Sequence, residues 1–304
     1  MRRREALAAL ALTACAGRLP AADDDVLLRL LREAGPISRR VLAASAEFEL
    51  QILWSRCARG ANGDWQIAGE SSFGVRRRRW FAAASFVKLP LAALLLEQLC
   101  ARGLIDQVDS LRVTVDAMGA CAPLPPSVKG GWPFMRLLRG MCVVSDNQAC
   151  NALYELLGSD AIHRRLGELG YADCRIGARL GCSGTRPGKL AAQVLDAAGQ
   201  VVWDSPALAD ERPQRFPFGR ALKGRAWIQS GKQIEGAHDF SDSNFMPLAI
   251  VHRMTLELGS GQALGAGPAF ALCPVARGVL AQIMALPPRQ CPDPVYDPGQ
   301  YADD

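Results

Sequence analysis

Two short segments carry residues whose types and spacing could do covalent chemistry. In the first, "AAASFVKLP" over residues 82–90, Ser85 precedes Lys88 by three positions. Residues three apart on a helix share a face, so hydroxyl and amine meet if a helix begins near Ser85. A lysine in apolar surroundings loses basicity because burial disfavours its charged form, and the neutral amine can then take the serine proton. The run that follows, "LAALLLEQL", supplies such surroundings. Free N–H groups at the helix start lie where an oxyanion would form. Pro90 removes a first-turn hydrogen bond and is expected to kink that helix. Alone, Ser-x-x-Lys is a weak signal that reads more readily as an N-cap serine with a surface lysine. The second segment, "VVSDNQACNALYELLG", sets Ser145, Asp146 and Asn147 at the start of another helix. Ser145 and Gln148 also fit a capping box closed by Gly158, and such a turn is a rigid mount for a hydroxyl and an amide.

The elements around these segments follow from periodicity and turn residues. Apolar positions from Asp25 to Leu42 predict helix, broken at Gly35-Pro36. The alternation in "EFELQILW" predicts a strand, Asn62-Gly63 a hairpin turn and "DWQIAGES" the returning strand. After the Ser85 helix the chain reads as helical through Leu157, interrupted by the proline-rich loop "CAPLPPSVKGGWP". "GYADCRIGARLGCSGTRPG" reads as loop and "AAQVLDAAGQVVW" as a second hairpin. Residues 245–257 and 274–286 read as helices, and the five prolines of "PPRQCPDPVYDPGQYADD" predict an extended or frayed end.

Taken together, the two motifs, in this order and at this separation, resemble the penicillin-recognising serine hydrolases, in particular class A beta-lactamases. "LGELGYADCRIGARL" and "GAHDFSDSNFMPL" are similar to stretches of a branch known simply as serine hydrolases, and the resemblance runs over roughly residues 45–260. It implies an α+β fold, a helical cluster carrying Ser85 and Ser145 packed on an antiparallel sheet made from the chain ends. By position it implies Ser85 as the acylated nucleophile and Lys88 as its general base. Ser145 would pass the proton to the leaving nitrogen, and Asn147 would bind the substrate amide and orient Lys88. Asp146 would satisfy backbone groups at the turn. Substrates would be beta-lactams, esters or peptidoglycan peptides, with no cofactor and no metal.

Two parts of the family pattern are absent. Class A enzymes carry Glu-x-x-x-Asn in a loop after the second motif, whose glutamate activates the deacylating water. The corresponding "RIGARLGCSGTRPGKL" holds neither residue, and Glu168 in "LGELGY" reads as a helix position. Nor does the chain contain Lys-Thr-Gly or Lys-Ser-Gly; Lys232 in "QSGKQIEG" and Lys223-Gly224 are poor substitutes. The strand bearing that motif is expected about where this chain stops. The alternatives are therefore a peptidoglycan peptidase or esterase of the same superfamily, and a catalytically silent binding lipoprotein.

Composition narrows the rest. With 304 residues, 49% hydrophobic and 21% charged, the chain can bury a substantial core. Of the net charge of +5, Arg2, Arg3, Arg4 and Glu5 supply +2, and the remaining +3 gives no nucleic-acid footprint. The basic start and apolar Ala6–Ala14 follow the plan of a secretory signal over residues 1–14, and Leu12-Thr13-Ala14-Cys15 resembles a lipobox. The expectation is an exported, periplasmic protein anchored through lipidated Cys15, with a tether over 15–24, a hydrolase domain over 25–287 and a tail over 288–304. Arg2-Arg3-Arg4 leaves a twin-arginine route open. No later apolar run reaches the ~18 residues of a spanning helix. Besides Cys15 nine cysteines remain, an odd number, among which Cys174 with Cys182 is the preferred pair. No C-x-x-C occurs and the three histidines are scattered, which disfavours zinc. "GSGQALGAG" has the wrong glycine spacing for a nucleotide and reads as a loop. Arg76 to Arg79 read as a solvated hairpin edge, and His238 and Asp239 as loop decoration.

Overall fold

A computed structural model describes residues 24–76, 79–116, 130–182, 188–209, 221–229, 231–264, 267–297 and 299. The expected signal, Cys15 and most of the tether lie outside them. The chain forms two compact units, residues 1–80 with 247–267, and residues 81–246 with 268–304.

In the first unit, helices Asp24–Glu33 and Pro36–Ala43 break at Gly35 as predicted. The hairpin also forms, pairing Ile52–Arg59 with Trp65–Phe73. Its first strand starts later than the alternation suggested, because residues 44–49 turn and Glu49 sits at φ 49°. Helix Leu248–Ser260 packs on that strand, and Ser55 Oγ lies 2.7 Å from His252 Nε2. The glycine-containing segment after this helix begins with Gly261 as its left-handed C-cap.

The second unit is built around helix Lys88–Ala101. Leu91, Ala92, Ala93, Leu94, Leu95, Leu96 and Leu99 are all at most 3% exposed, so the helix is buried on every side. By length and composition residues 84–101 could cross a membrane, but 61% of the stretch is buried inside the protein, as befits a core helix. Helices Phe134–Val143, Asn147–Leu157 and Pro274–Met284 pack against it. Arg165 forks onto the Glu97 carboxylate at 2.7 and 3.0 Å, and Glu97 also accepts from Ala271 N–H, docking the segment before Pro274.

Beside these helices lies a four-stranded antiparallel sheet in the order Trp132–Pro133, Arg112–Val115, Ala192–Leu195, Val201–Ser205. Val113, Val194 and Trp203 stand in register and form its buried face. The mixed α+β class agrees with expectation. The strand at Arg112–Val115 corrects the helical reading of this region, and the sheet comes from mid-chain rather than from the chain ends. Four residues give too short an alternation to outweigh the helical neighbours. Gly131 turns the chain into the sheet edge at φ +87°, where a Cβ would come within 2.4 Å of the Val113 carbonyl oxygen.

Two further expectations are corrected. Cys174 is buried and free, while Cys182 is disulfide-bonded elsewhere and Cys100 pairs with Cys273. The tail is not frayed over residues 288–297. Cys291 is buried, Asp293 pairs with Arg136 at 2.6 Å, and Tyr296 reaches Gly140. Prolines there direct a docked extended chain rather than prevent docking.

His163 is a half-buried acceptor, taking the Ile176 N–H at 2.9 Å on Nε2 and facing Ser159 Oγ on Nδ1. Burial first, and then the Arg175 guanidinium, push its pKa down from 6.5 to about 4. Below pH 6.5 the unfolded chain therefore binds a proton that the folded chain refuses, so this stability is complete above pH 6.5 and is lost as pH falls towards 4. Chemical denaturation at pH 7 and pH 4.5 should show a loss of about 2 kcal/mol from this group. In His163→Gln, which keeps an acceptor without titrating, that share of the pH dependence disappears; an unchanged slope would refute the assignment.

Candidate active site

The Ser85 turn is set up by a short 3-10 helix, Ala84–Val87, that runs directly into helix Lys88–Ala101. The helix runs unbroken past Pro90, which falls in its first turn, where an N–H has no intrahelical partner to lose. Ser85 is exposed at the start of the turn, whereas Lys88, one turn on, is 4% exposed. Ala84, just before the serine, holds φ 43°.

The second segment approaches from the opposite helix. Ser145 sits in the left-handed region at φ 61°, so two of the three non-glycine residues with positive φ among those described flank or form this site. Such strained backbone persists only where surrounding contacts over-determine it. Those contacts are visible. Asp146 N–H donates to the Gly140 carbonyl at 2.9 Å. The Asp146 carboxylate accepts from Gln148 N at 2.7 Å and Ala149 N at 3.2 Å. Asp146, not Ser145, is thus the N-cap, which frees the Ser145 hydroxyl from the capping-box role and confirms the structural role read for the aspartate.

The four side chains singled out in the sequence converge. Lys88 Nζ lies 3.3 Å from Ser85 Oγ, 2.9 Å from Ser145 Oγ and 2.8 Å from Asn147 Oδ1, and also donates to the Ser145 carbonyl. Ser145 Oγ donates to Ser85 Oγ at 2.6 Å. Burial pushes the Lys88 ammonium below the usual lysine range, opposed by Cys150, Asp146 and Cys142. Burial raises both Cys142 and Cys150 to about 12, so neither thiol is charged at neutral pH. As a neutral amine Lys88 keeps two hydrogens, matched by the Ser145 carbonyl and Asn147 Oδ1, and its lone pair can accept from a hydroxyl.

Behind the tetrad the 177–190 loop is fastened by residues that the sequence reading missed. Asn244 accepts from Gly177 and Ala178 N–H, both at 2.9 Å, and its backbone carbonyl takes Ala83 N–H, tying these residues to the Ser85 turn. Asn151 pairs with both backbone groups of Leu180, at 2.8 and 2.9 Å. At Gly181, φ +73°, a Cβ would stand 3.4 Å from Asn147 Nδ2, so the loop backbone rests on the tetrad. The sequence did hold a signal: Asn147, Asn151 and Glu155 recur every four residues along a buried helix, where an apolar stripe is the rule.

Other candidates lie apart from this geometry. Lys232 opens an exposed hairpin strand paired with Ala226–Gln229, and no described hydrogen bond joins it or Lys223 to the tetrad. His238, read as decoration, sits between Trp227 and Phe240 at ring distances of 4.4 and 4.5 Å. No cluster of three or more metal-ligating side chains occurs among the described residues.

No curated protein matches the chain. Residues 63–205, which contain both motifs, match the model of the beta-lactamase enzyme family. Over that span the match supports a beta-lactamase-like serine hydrolase.

Proposed function

We propose that the protein is an exported acyl-transfer enzyme that opens an amide, lactam or ester bond by acylating Ser85. The observation that carries this reading is the convergence of Ser85 Oγ, Ser145 Oγ and Asn147 Oδ1 on one buried amine. Neutral Lys88 takes the Ser85 proton as Oγ attacks the carbonyl carbon. The Ser85 N–H, at the mouth of the 3-10 turn, is the donor available to the oxyanion. The proton passes from Lys88 through Ser145 Oγ to the departing nitrogen or oxygen, and collapse leaves an ester on Ser85. Asn147 holds Lys88 and offers its Nδ2 to the substrate amide.

Release of that ester needs water and a base. The loop from Cys174 to Leu190 contains no carboxylate, and Leu180 and Gly181 occupy its approach to Asn147. Among the described residues of the site, Lys88 and Ser145 are left as proton acceptors for deacylation, which favours a slow step and a peptidase or esterase over rapid beta-lactam turnover. Anchoring through lipidated Cys15 and a periplasmic location complete the proposal, since peptidoglycan peptides and beta-lactams are met there.

Incubation of the purified chain with a fluorescent penicillin and, separately, a fluorophosphonate, followed by intact mass and peptide mapping, tests it. An adduct on the Ser85 peptide is expected, persisting for minutes or longer with penicillin. A folded protein that takes up neither probe would leave a silent binding lipoprotein as the better reading.

A further inference from the structure

The mechanism above makes no use of the most thoroughly buried carboxylate near the site. Glu155 is 0% exposed and lies eight residues, about two turns, beyond Asn147 on the same helix. Its two oxygens grip both arms of the 177–190 loop. Arg179 Nε and Nη2 approach Oε1 and Oε2 at 2.5 and 3.0 Å, and the Leu190 N–H reaches Oε2 at 2.7 Å. The same guanidinium donates to the Gly188 carbonyl at 3.2 Å, which closes the loop on itself. On the returning arm, Lys189 Nζ binds the Glu155 carbonyl at 3.0 Å and Ser205 Oγ at 2.7 Å, so helix end and loop end share one cation.

We propose that Glu155 is a positioning residue for the Ser85 site, acting through the loop on Asn147. The loop leaves Arg179 for Leu180, whose backbone Asn151 holds, and then Gly181, whose Cα lies against the Asn147 carboxamide. With one side of Asn147 closed by this backbone, its Oδ1 is left facing Lys88 Nζ at 2.8 Å. A carboxylate that bound Arg179 alone would steady one arm only; because it also takes Leu190 N–H, it sets the width of the loop at its base. The geometry therefore makes residues 179–181 a firm rest for Asn147, and a displacement of about 1 Å in a reacting arrangement can cost on the order of 100-fold in rate.

This rests on Ser85 being the nucleophile, so the test carries one readout that needs labelling and one that does not. In the first, second-order rates of Ser85 labelling by the fluorescent penicillin are compared for Asn147→Ala, Glu155→Gln and the double variant. Glu155→Gln is expected to slow labelling by about 10- to 100-fold. The double variant should then be no slower than Asn147→Ala alone, because the two substitutions remove one effect. In the second, the side-chain amide resonances of Asn147 are followed by NMR in the parent and in Glu155→Gln. They are expected to shift and to exchange faster with water in the variant. If Glu155→Gln does not fold, the paired Glu155→Gln, Arg179→Met chain removes both charges of that ion pair together and takes its place. Additive rate losses with unmoved Asn147 resonances would overturn the proposal and assign Glu155 to stability alone. Absence of labelling in the parent would remove the reading of Ser85, while the NMR comparison would still decide whether Glu155 positions Asn147.

Discussion

Lys88→Met should slow acylation of Ser85 by about 10²- to 10⁴-fold, the span that a positioned general base contributes. Methionine keeps the unbranched length and apolar stem inside a helix already buried on every side, so the fold should survive while the proton acceptor is lost. Ser85→Ala should abolish the adduct outright, and the pair of variants separates nucleophile from base. The pH profile adds a second check. The reactive form is the neutral amine, so labelling should rise with pH and level off above the folded pKa of Lys88. Burial holds that pKa below the ordinary 10.5, and the inflection is expected on the acid side of that value. In Lys88→Met the inflection should vanish. An unaltered rate in Lys88→Met would remove lysine from the mechanism and leave Ser145 Oγ, 2.6 Å from Ser85 Oγ, as the sole partner of the nucleophile.

Much of this site was legible in the sequence because it is built from local patterns. Ser85 and Lys88 are one helical turn apart, and Ser145 to Asn147 are consecutive, so each pair needs only its own turn to be placed. That the two turns face one another came from resemblance, not from spacing. The supporting loop was not legible, since the side chains of Asn151, Glu155 and Asn244 act on backbone groups 29 to 67 residues away. Backbone N–H and carbonyl groups leave no trace in residue identity. The cysteines failed for a related reason. Cys174 and Cys182 are near in sequence, but the first faces the core and is free, while the pairs that form are set by which elements pack. The missed strand at Arg112–Val115 owes its place to Val194 and Trp203, eighty and ninety residues on.

The Cys100–Cys273 bond should contribute the largest single increment of stability to the second unit. It closes 173 residues, and chain entropy assigns loops of this size about 4 to 5 kcal/mol, of which about 2 to 4 is commonly realised. Its two ends are already held in place. Cys273 precedes helix Pro274–Met284 as its N-cap, the neighbouring Ala271 N–H bonds Glu97, and Phe270 stacks on Tyr171 at 6.0 Å. The native arrangement therefore forms without the bond, whose effect falls on the unfolded chain. The double variant Cys100→Ser, Cys273→Ser, made without reductant so that Cys182 stays oxidised, should melt about 5–12 °C below the parent. Ser85 lies about 20 Å along the helix from Cys100, so labelling at 25 °C should change little. A matching fall in labelling well below the melting temperature would mean that the bond sets the geometry of the nucleophile helix. An unchanged melting temperature would mean that packing around Glu97 and Phe270 alone fixes the C-terminal helix.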